Sequence, residues 1–257
     1  MRLVFSPMAL CLVALPLAAG EIAPAERLSG FDQMQPETQA MQREDTANPG
    51  MLAVRAGEGL WNAKAGPASR ACADCHGDAA ASMRGVAARY PAFDAGLGRP
   101  VDLTGRINLC RSEHQGVARL QAESADMLAL AAFIGRQSRG MAIAPPDDAR
   151  LAGSRAEGEA LFRRRMGQLD LSCSQCHDDN WGRRLGGSVI PQAHPTGYPI
   201  YRLEWQGMGS LARRLRNCMV GVRAEPFAAG SEEAIALELY LALRARGMPV
   251  ETPAVRP

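Results

Sequence analysis

An all-α protein, built as two tandem helical domains related by internal duplication and preceded by an N-terminal arm, is predicted by three observations. The chain repeats itself, both copies carry apolar residues at helical spacing, and alternating strand patterns are scarce. At 257 residues with 47% apolar content, it can bury the core of one or two ordinary domains. A net charge of +2 with no long basic run gives no pull toward nucleic acid or an anionic membrane, so partners have to be read from sites.

The elements follow in chain order. Residues 1–20 combine Arg2, an apolar run from Met8 to Leu17 and a small-residue exit at Ala18, Ala19 and Gly20, the pattern of a secretory signal. That run is well short of the ~20 residues a membrane span needs. Export to the periplasm is therefore expected, with no membrane attachment after cleavage. Cys11 leaves with the signal, so six of seven cysteines remain. Residues 21–50 read as the arm, expected to wrap one of the domains. The first domain, 51–143, opens with a helical segment around Ala53 to Lys64 and closes with a helix from Ser124, a serine placed as an N-cap ahead of recurring Leu, Ala and Ile. Residues 144–153, with two prolines, read as a linker. The second domain, 154–257, repeats the plan: a helical segment from Ala156 to Gly167 and a final helix from Ser231, stopped at Gly247 and Pro249.

The duplication is visible at fixed distances. "GEGLW" at Gly57 and "GEALF" at Gly158 each start fifteen residues before a cysteine, Cys72 and Cys173. Tyr90-Pro91 and Tyr198-Pro199 each stand twenty residues before another, Cys110 and Cys218. Within those windows Leu103 matches Leu211 and Arg106 matches Arg214, while the second copy carries seven extra residues between its paired cysteines and its Tyr-Pro.

Each copy contains Cys-x-x-Cys-His: Cys72, Cys75 and His76, then Cys173, Cys176 and His177. This is the spacing for covalent attachment of c-type haem, with two thiols on one porphyrin edge and the adjacent imidazole under the iron. A zinc site wants four converging ligands, which a His adjacent to a Cys serves poorly. A thioredoxin-type pair expects a βαβ setting and no histidine. Two such pentapeptides at matching places in an exported chain point to two covalently bound haem c groups, with His76 and His177 as axial ligands, and so to two cytochrome c-like domains.

Cys110 and Cys218 are the candidates for the distal axial ligands. No methionines occupy matching positions, since Met219 faces Arg111 in the repeat. A thiolate on the iron would favour Fe(III) and lower the potential. It also needs positive charge nearby, and Arg106 and Arg214 stand four residues earlier, on the same helix face. The alternative is a Cys110–Cys218 disulfide, favoured by an oxidising compartment but requiring Cα atoms within about 7 Å. His114, one turn past Cys110, is a rival ligand for the first copy; a role at the surface or in support of the ligating residues is expected for it and for His194. Trp181, Tyr198, Tyr201 and Trp205 are expected to pack against the second porphyrin. Asp178, Asp179 and Glu204 are expected to be solvated or paired charges.

Taken together these residues resemble the SoxA family, the dihaem c-type subunits of the bacterial thiosulfate-oxidising Sox system. The resemblance covers most of the chain beyond the signal and is densest in "CSQCH", "NWG", "HPTGYPIYRLEWQGMGSLARRLRNC", "VRAE" and "GMPVETPAVRP". It implies an L-cysteine S-thiosulfotransferase that pairs with a SoxX-like monohaem cytochrome c and joins thiosulfate oxidatively to a cysteine of a SoxYZ-like carrier, with electrons passing to haem c. It implies further that Cys218 is the catalytic residue, met as a persulfide, with Arg214 beside it, and that Cys110 ligates the first haem. Because a very low potential would oppose its accepting electrons, that haem is expected to be structural or an electron reservoir. Because thiosulfate is a dianion, a guanidinium next to the reactive sulfur suits it; Arg213, Arg216 and Arg223 are secondary candidates to Arg214. The reading from another class is a dihaem electron-transfer protein that makes no bonds. A dihaem peroxidase would expect His or Met distal ligands, for which no pattern appears.

Overall fold

The computed structural model describes residues 22–257, so the segment read as a signal, with Cys11, lies outside the described residues. Within them the arm carries α1 (Pro36–Arg43). The first copy follows with α2 (Gly50–Asn62), α3 (Cys72–His76), α4 (Ala79–Ser82), strands β1 (Ala92–Asp94) and β2 (Arg99–Val101), α5 (Leu103–Cys110) and α6 (Ala125–Arg136). The second copy repeats this as α7 (Ala152–Arg163) and α8 (Cys173–His177). A hairpin of β3 (Arg184–Leu185) and β4 (Ser188–Val189) precedes β5 (Ile200–Arg202), β6 (Gly207–Gly209), α9 (Leu211–Gly221), α10 (Glu232–Arg244) and β7 (Ala254–Arg256). The helical class stands, with short strands added to it. The β3–β4 hairpin falls in the interval that carries the seven extra residues.

The same local chemistry builds each copy. Ser124 and Ser231 cap α6 and α10, their hydroxyls accepting the N–H of Met127 at 3.3 Å and of Ala234 at 3.2 Å. Asp102 and Ser210 cap α5 and α9 by accepting from Gly105 at 2.7 Å and Arg213 at 3.1 Å. In both copies a short antiparallel hairpin delivers the chain to that cap: Ala92 pairs with Val101 and Asp94 with Arg99, as Ile200 pairs with Gly209 and Arg202 with Gly207. Only the second hairpin gains a third strand, β7, lying parallel to β5.

Each core is the crossing of an opening helix over a closing one. In the first, Val54 and Trp61 of α2 bury against Leu130 and Phe133 of α6; in the second, Leu161 and Phe162 of α7 bury against Leu237 and Leu241 of α10. The repeated glycine of the "GEGLW" and "GEALF" motifs sits where the backbones touch. A Cβ on Gly57 would stand 2.1 Å from the Ala129 carbonyl oxygen, and one on Gly158 would stand 2.0 Å from that of Ala236. The first residue of the repeated motif is therefore fixed by close approach of two helices.

Two expectations about connections change. The arm holds both copies rather than one: Asp45 pairs with Arg136 at 2.9 Å and Arg139 at 2.5 Å, while the Leu28 N–H donates to the Gln192 side chain at 2.6 Å. Gln192 in turn donates to the Glu26 carbonyl at 3.1 Å. Side chains of both domains satisfy backbone groups of the arm, Arg139 at the Gln42 carbonyl and Gln192 and His194 at Glu26 and Leu28, which a scan for apolar periodicity does not register. The stretch read as a linker, 144–153, ends in helix, because a 3-10 turn at Ala149–Leu151 runs into α7 and buries Leu151.

Candidate functional site

Each Cys-x-x-Cys-His forms one short helical turn, and the residue between the cysteines holds the start of that turn. The Asp74 carboxylate accepts the Ala71 N–H at 2.8 Å; the Gln175 side chain accepts the Ser172 N–H at 2.9 Å while the Ser172 hydroxyl accepts the Gln175 N–H at 3.2 Å. The turn sets both thiols and the imidazole on successive positions of one helical winding. In the first copy Cys75 and His76 are exposed. The Trp61 ring lies 5.6 Å from the His76 ring, and its indole N–H donates to the Gly77 carbonyl at 3.3 Å.

In the second copy the imidazole is held more firmly. His177 Nδ1–H donates to the Pro191 carbonyl at 2.6 Å, which fixes the tautomer and leaves the Nε2 lone pair for a metal. Burial pushes the His177 pKa below its ordinary value, opposed by the Pro191 bond and reinforced by the Arg214 charge. The surrounding loops are tied by Arg244 of α10. Its guanidinium pairs with Asp178, directly after His177, at 2.6 Å, with both side chains 3% exposed, and also reaches the Gln192 carbonyl at 3.3 Å. It lies 4.5 Å over the Phe162 ring. Asp178 is thus a buried, paired charge. His194 donates from Nδ1 to the Leu28 carbonyl at 2.9 Å, which anchors the arm, and burial brings its pKa down to about 4.

Each lone cysteine stands with its own motif. The charge of Cys110 acts on Cys72 and that of Cys75 on Cys110, while Cys218 acts on both Cys173 and Cys176. All six cysteines of the described residues are free, and no disulfide joins Cys110 to Cys218. Burial pushes the Cys110 thiol up, and Arg106, charged and hydrogen-bonded to it, pulls it down. Cys173 is pushed up to about 11, by burial first and by Cys218 second. The i, i+4 pairing of arginine and cysteine lies on α5 and on α9, in helix both times. His114 is exposed in the single π turn after α5.

The arginines differ between copies in a way the sequence reading did not register. Arg106 is ion-paired with Asp94, itself buried, and touches Tyr90. Among the described residues no carboxylate pairs with Arg214; its charge acts instead on His177, Tyr198 and Arg202. Tyr198 is pushed up to about 12 by burial. Arg213, one of the secondary candidates, lies over the Trp205 ring, 4.1 Å from its centroid.

The profile of the SoxA/TsdA cytochrome c domain family matches residues 56–143 and again 157–250. The chain belongs to this family. Its SoxA relatives agree: L-cysteine S-thiosulfotransferase subunit SoxA of Pseudaminobacter salicylatoxidans is 38% identical, covering 94% of this chain and 87% of that one. The subunit of Rhodovulum sulfidophilum is 35% identical, over 89% of this chain and 79% of its own. A chain of the crystal structure of SoxXA from P. pantotrophus superposes with a TM-score of 0.87 at 35% identity, covering 90% of this chain and 87% of that chain. The SoxA match extends over both copies, and membership in a cytochrome c family carries covalently bound haem c with it.

The residues present fit that group. The thiols of each motif are free, Nε2 of His177 is left as the coordinating nitrogen by the Pro191 bond, and a cysteine faces each motif from α5 or α9.

Proposed function

We propose that this chain is the catalytic dihaem subunit of a SoxAX-type L-cysteine S-thiosulfotransferase, acting at Cys218. Its SoxA relatives bear that activity in their names, and one of them is seen in a SoxXA structure. Two haem c groups would be held by Cys72, Cys75, Cys173 and Cys176, with His76 and Cys110 binding the iron in the domain 51–143 and His177 and Cys218 in the domain 154–257. The observation that carries the reading is the pairing, on α9, of a free cysteine facing its own Cys-x-x-Cys-His with an arginine free of any carboxylate among the described residues.

The overall change converts a carrier thiol and thiosulfate into a carrier S–S–SO3 conjugate, one proton and two electrons, so a bond between sulfurs forms as a thiol S–H is given up. Haem c, when bound, supplies the one-electron acceptance through which those electrons leave toward a SoxX-like monohaem cytochrome c. This chain's own residues do the rest. The Arg214 guanidinium offers paired N–H donors to the oxygens of the dianion and offsets its charge. Cys218, carried as a persulfide, presents the sulfur that bonds to the outer sulfur of thiosulfate as the two electrons leave; the thiolate of the carrier, a SoxYZ-like protein, then attacks that thiosulfate sulfur, the bond to the persulfide breaks, and the persulfide is regenerated as the leaving group.

The chain is proposed to work in the periplasm, and no described helix is long and apolar enough to cross a membrane. The test is Cys218→Met assayed with carrier and thiosulfate. Conjugation is expected to vanish while both haems stay attached; retained turnover would reduce the protein to an electron carrier.

A further inference from the structure

The two copies superimpose their hairpins residue on residue, and one pair is inverted in charge. Asp94, at the end of β1, occupies the place of Arg202, at the end of β5; their strand partners Arg99 and Gly207 match in register. In the first copy the carboxylate at this place closes an ion pair with the arginine of the Arg-x-x-x-Cys turn. In the second copy the same place holds a second guanidinium, and the two arginines act on one another: burial and then the Arg214 charge push Arg202 below the ordinary arginine range.

Arg202 is built into the fold. Its side chain is 14% exposed, its Nε is buried without a hydrogen-bond partner, and its guanidinium lies 5.2 Å from the Trp205 ring, which Arg213 also covers. Its one carboxylate partner among the described residues is Glu204, at 3.0 Å, which is 64% exposed and so well screened by water. Tyr198 lies within reach of the charges of Arg214, Cys218 and Arg202 alike. Two like charges brought together with an unused donor cost free energy unless an anion is shared between them.

We propose that Arg202 is a second anion-binding residue of the Cys218 site, holding the oxygens of thiosulfate jointly with Arg214. Asp94, by neutralising Arg106, is what denies the Cys110 site the same anion. This rests on the reading of Cys218 as the thiosulfate site. It assigns Arg202 a role in binding, distinct from the chemistry at sulfur.

The test is calorimetric titration of thiosulfate into the oxidised holoprotein complex without carrier. The parent is expected to bind close to one anion per chain of this protein. Arg202→Gln should weaken binding about tenfold or more, as for a lost charge-assisted contact, with haem content and spectrum unchanged. Arg165→Gln, an exposed control paired with Asp170, should bind like the parent. Should the Gln variant fail to fold, Arg202→Lys carries the test: it keeps the charge but loses the fork, and threefold or greater weakening supports the role. Parent-like affinity in whichever variant folds overturns it, and two anions per chain overturns the part given to Asp94. No binding by the parent itself would instead sink the thiosulfate reading, and this inference with it.

Discussion

Replacing Arg244 with methionine tests whether the buried pair it makes holds the second site together. The pair spans 2.6 Å with both side chains 3% exposed, so water cannot rescue Asp178 once its partner is gone. Breaking such a pair from one side costs about 3–5 kcal/mol, because an uncompensated carboxylate is left buried. In a chain of this size each kcal/mol moves the melting temperature by about 2–4 °C, so a fall of at least about 6 °C is expected. Thermal unfolding of the holoprotein, followed by circular dichroism, measures it. Two further readouts separate this from generic damage. The Arg244→Met, Asp178→Asn double variant should recover much of the loss, since the stranded charge is then absent. The reduction potential of the second haem should shift in the single variant, because Arg244 also ties Gln192, next to the Pro191 carbonyl that orients His177. A single variant within about 1 kcal/mol of the parent, or a double variant no better than the single, would refute the reasoning.

Three other outcomes follow from the same geometry. Gly158→Ala should destabilise by about 1–3 kcal/mol or more, read by urea denaturation, because the added methyl meets the Ala236 carbonyl; at the exposed Gly59, where a Cβ meets nothing, the same change should be tolerated. His194, whose folded pKa near 4 lies below its ordinary 6.5, is protonated first in the unfolded chain. Its contribution is therefore intact above about pH 6.5 and lost as pH falls toward 4, up to about 3 kcal/mol, and His194→Gln should flatten that part of the urea-midpoint profile. Arg214→Ala should lose most thiosulfate-dependent turnover with haem content unchanged, measured against Arg165→Gln as an exposed control.

What could be read from residues alone follows from distance along the chain. The haem motifs are local, so Cys72 to His76 and Cys173 to His177 were legible as spacing, as were the Ser124 and Ser231 caps, whose partners lie three residues on. Arginine and cysteine on α5 and α9 are four residues apart and were legible for the same reason. The strands were not, since three residues show too little alternation to register. The contacts that distinguish the second site join residues far apart: Arg244 reaches Asp178 across 66 positions, and the Leu28 N–H reaches Gln192 across 164. The exchange of Asp94 for Arg202 did have a signal. Extending the Tyr-Pro alignment of the two copies four residues further pairs them, but only the structure shows that Asp94 meets the very arginine being compared.

Tandem mass spectrometry of the holoprotein after exposure to thiosulfate most directly tests whether the bond-forming sulfur sits on α9. Added sulfur is expected on the Cys218 peptide, with the Cys110 peptide unmodified. Extra sulfur on Cys110 in equal measure, or on neither cysteine, would contradict the assignment of the chemistry to the second copy.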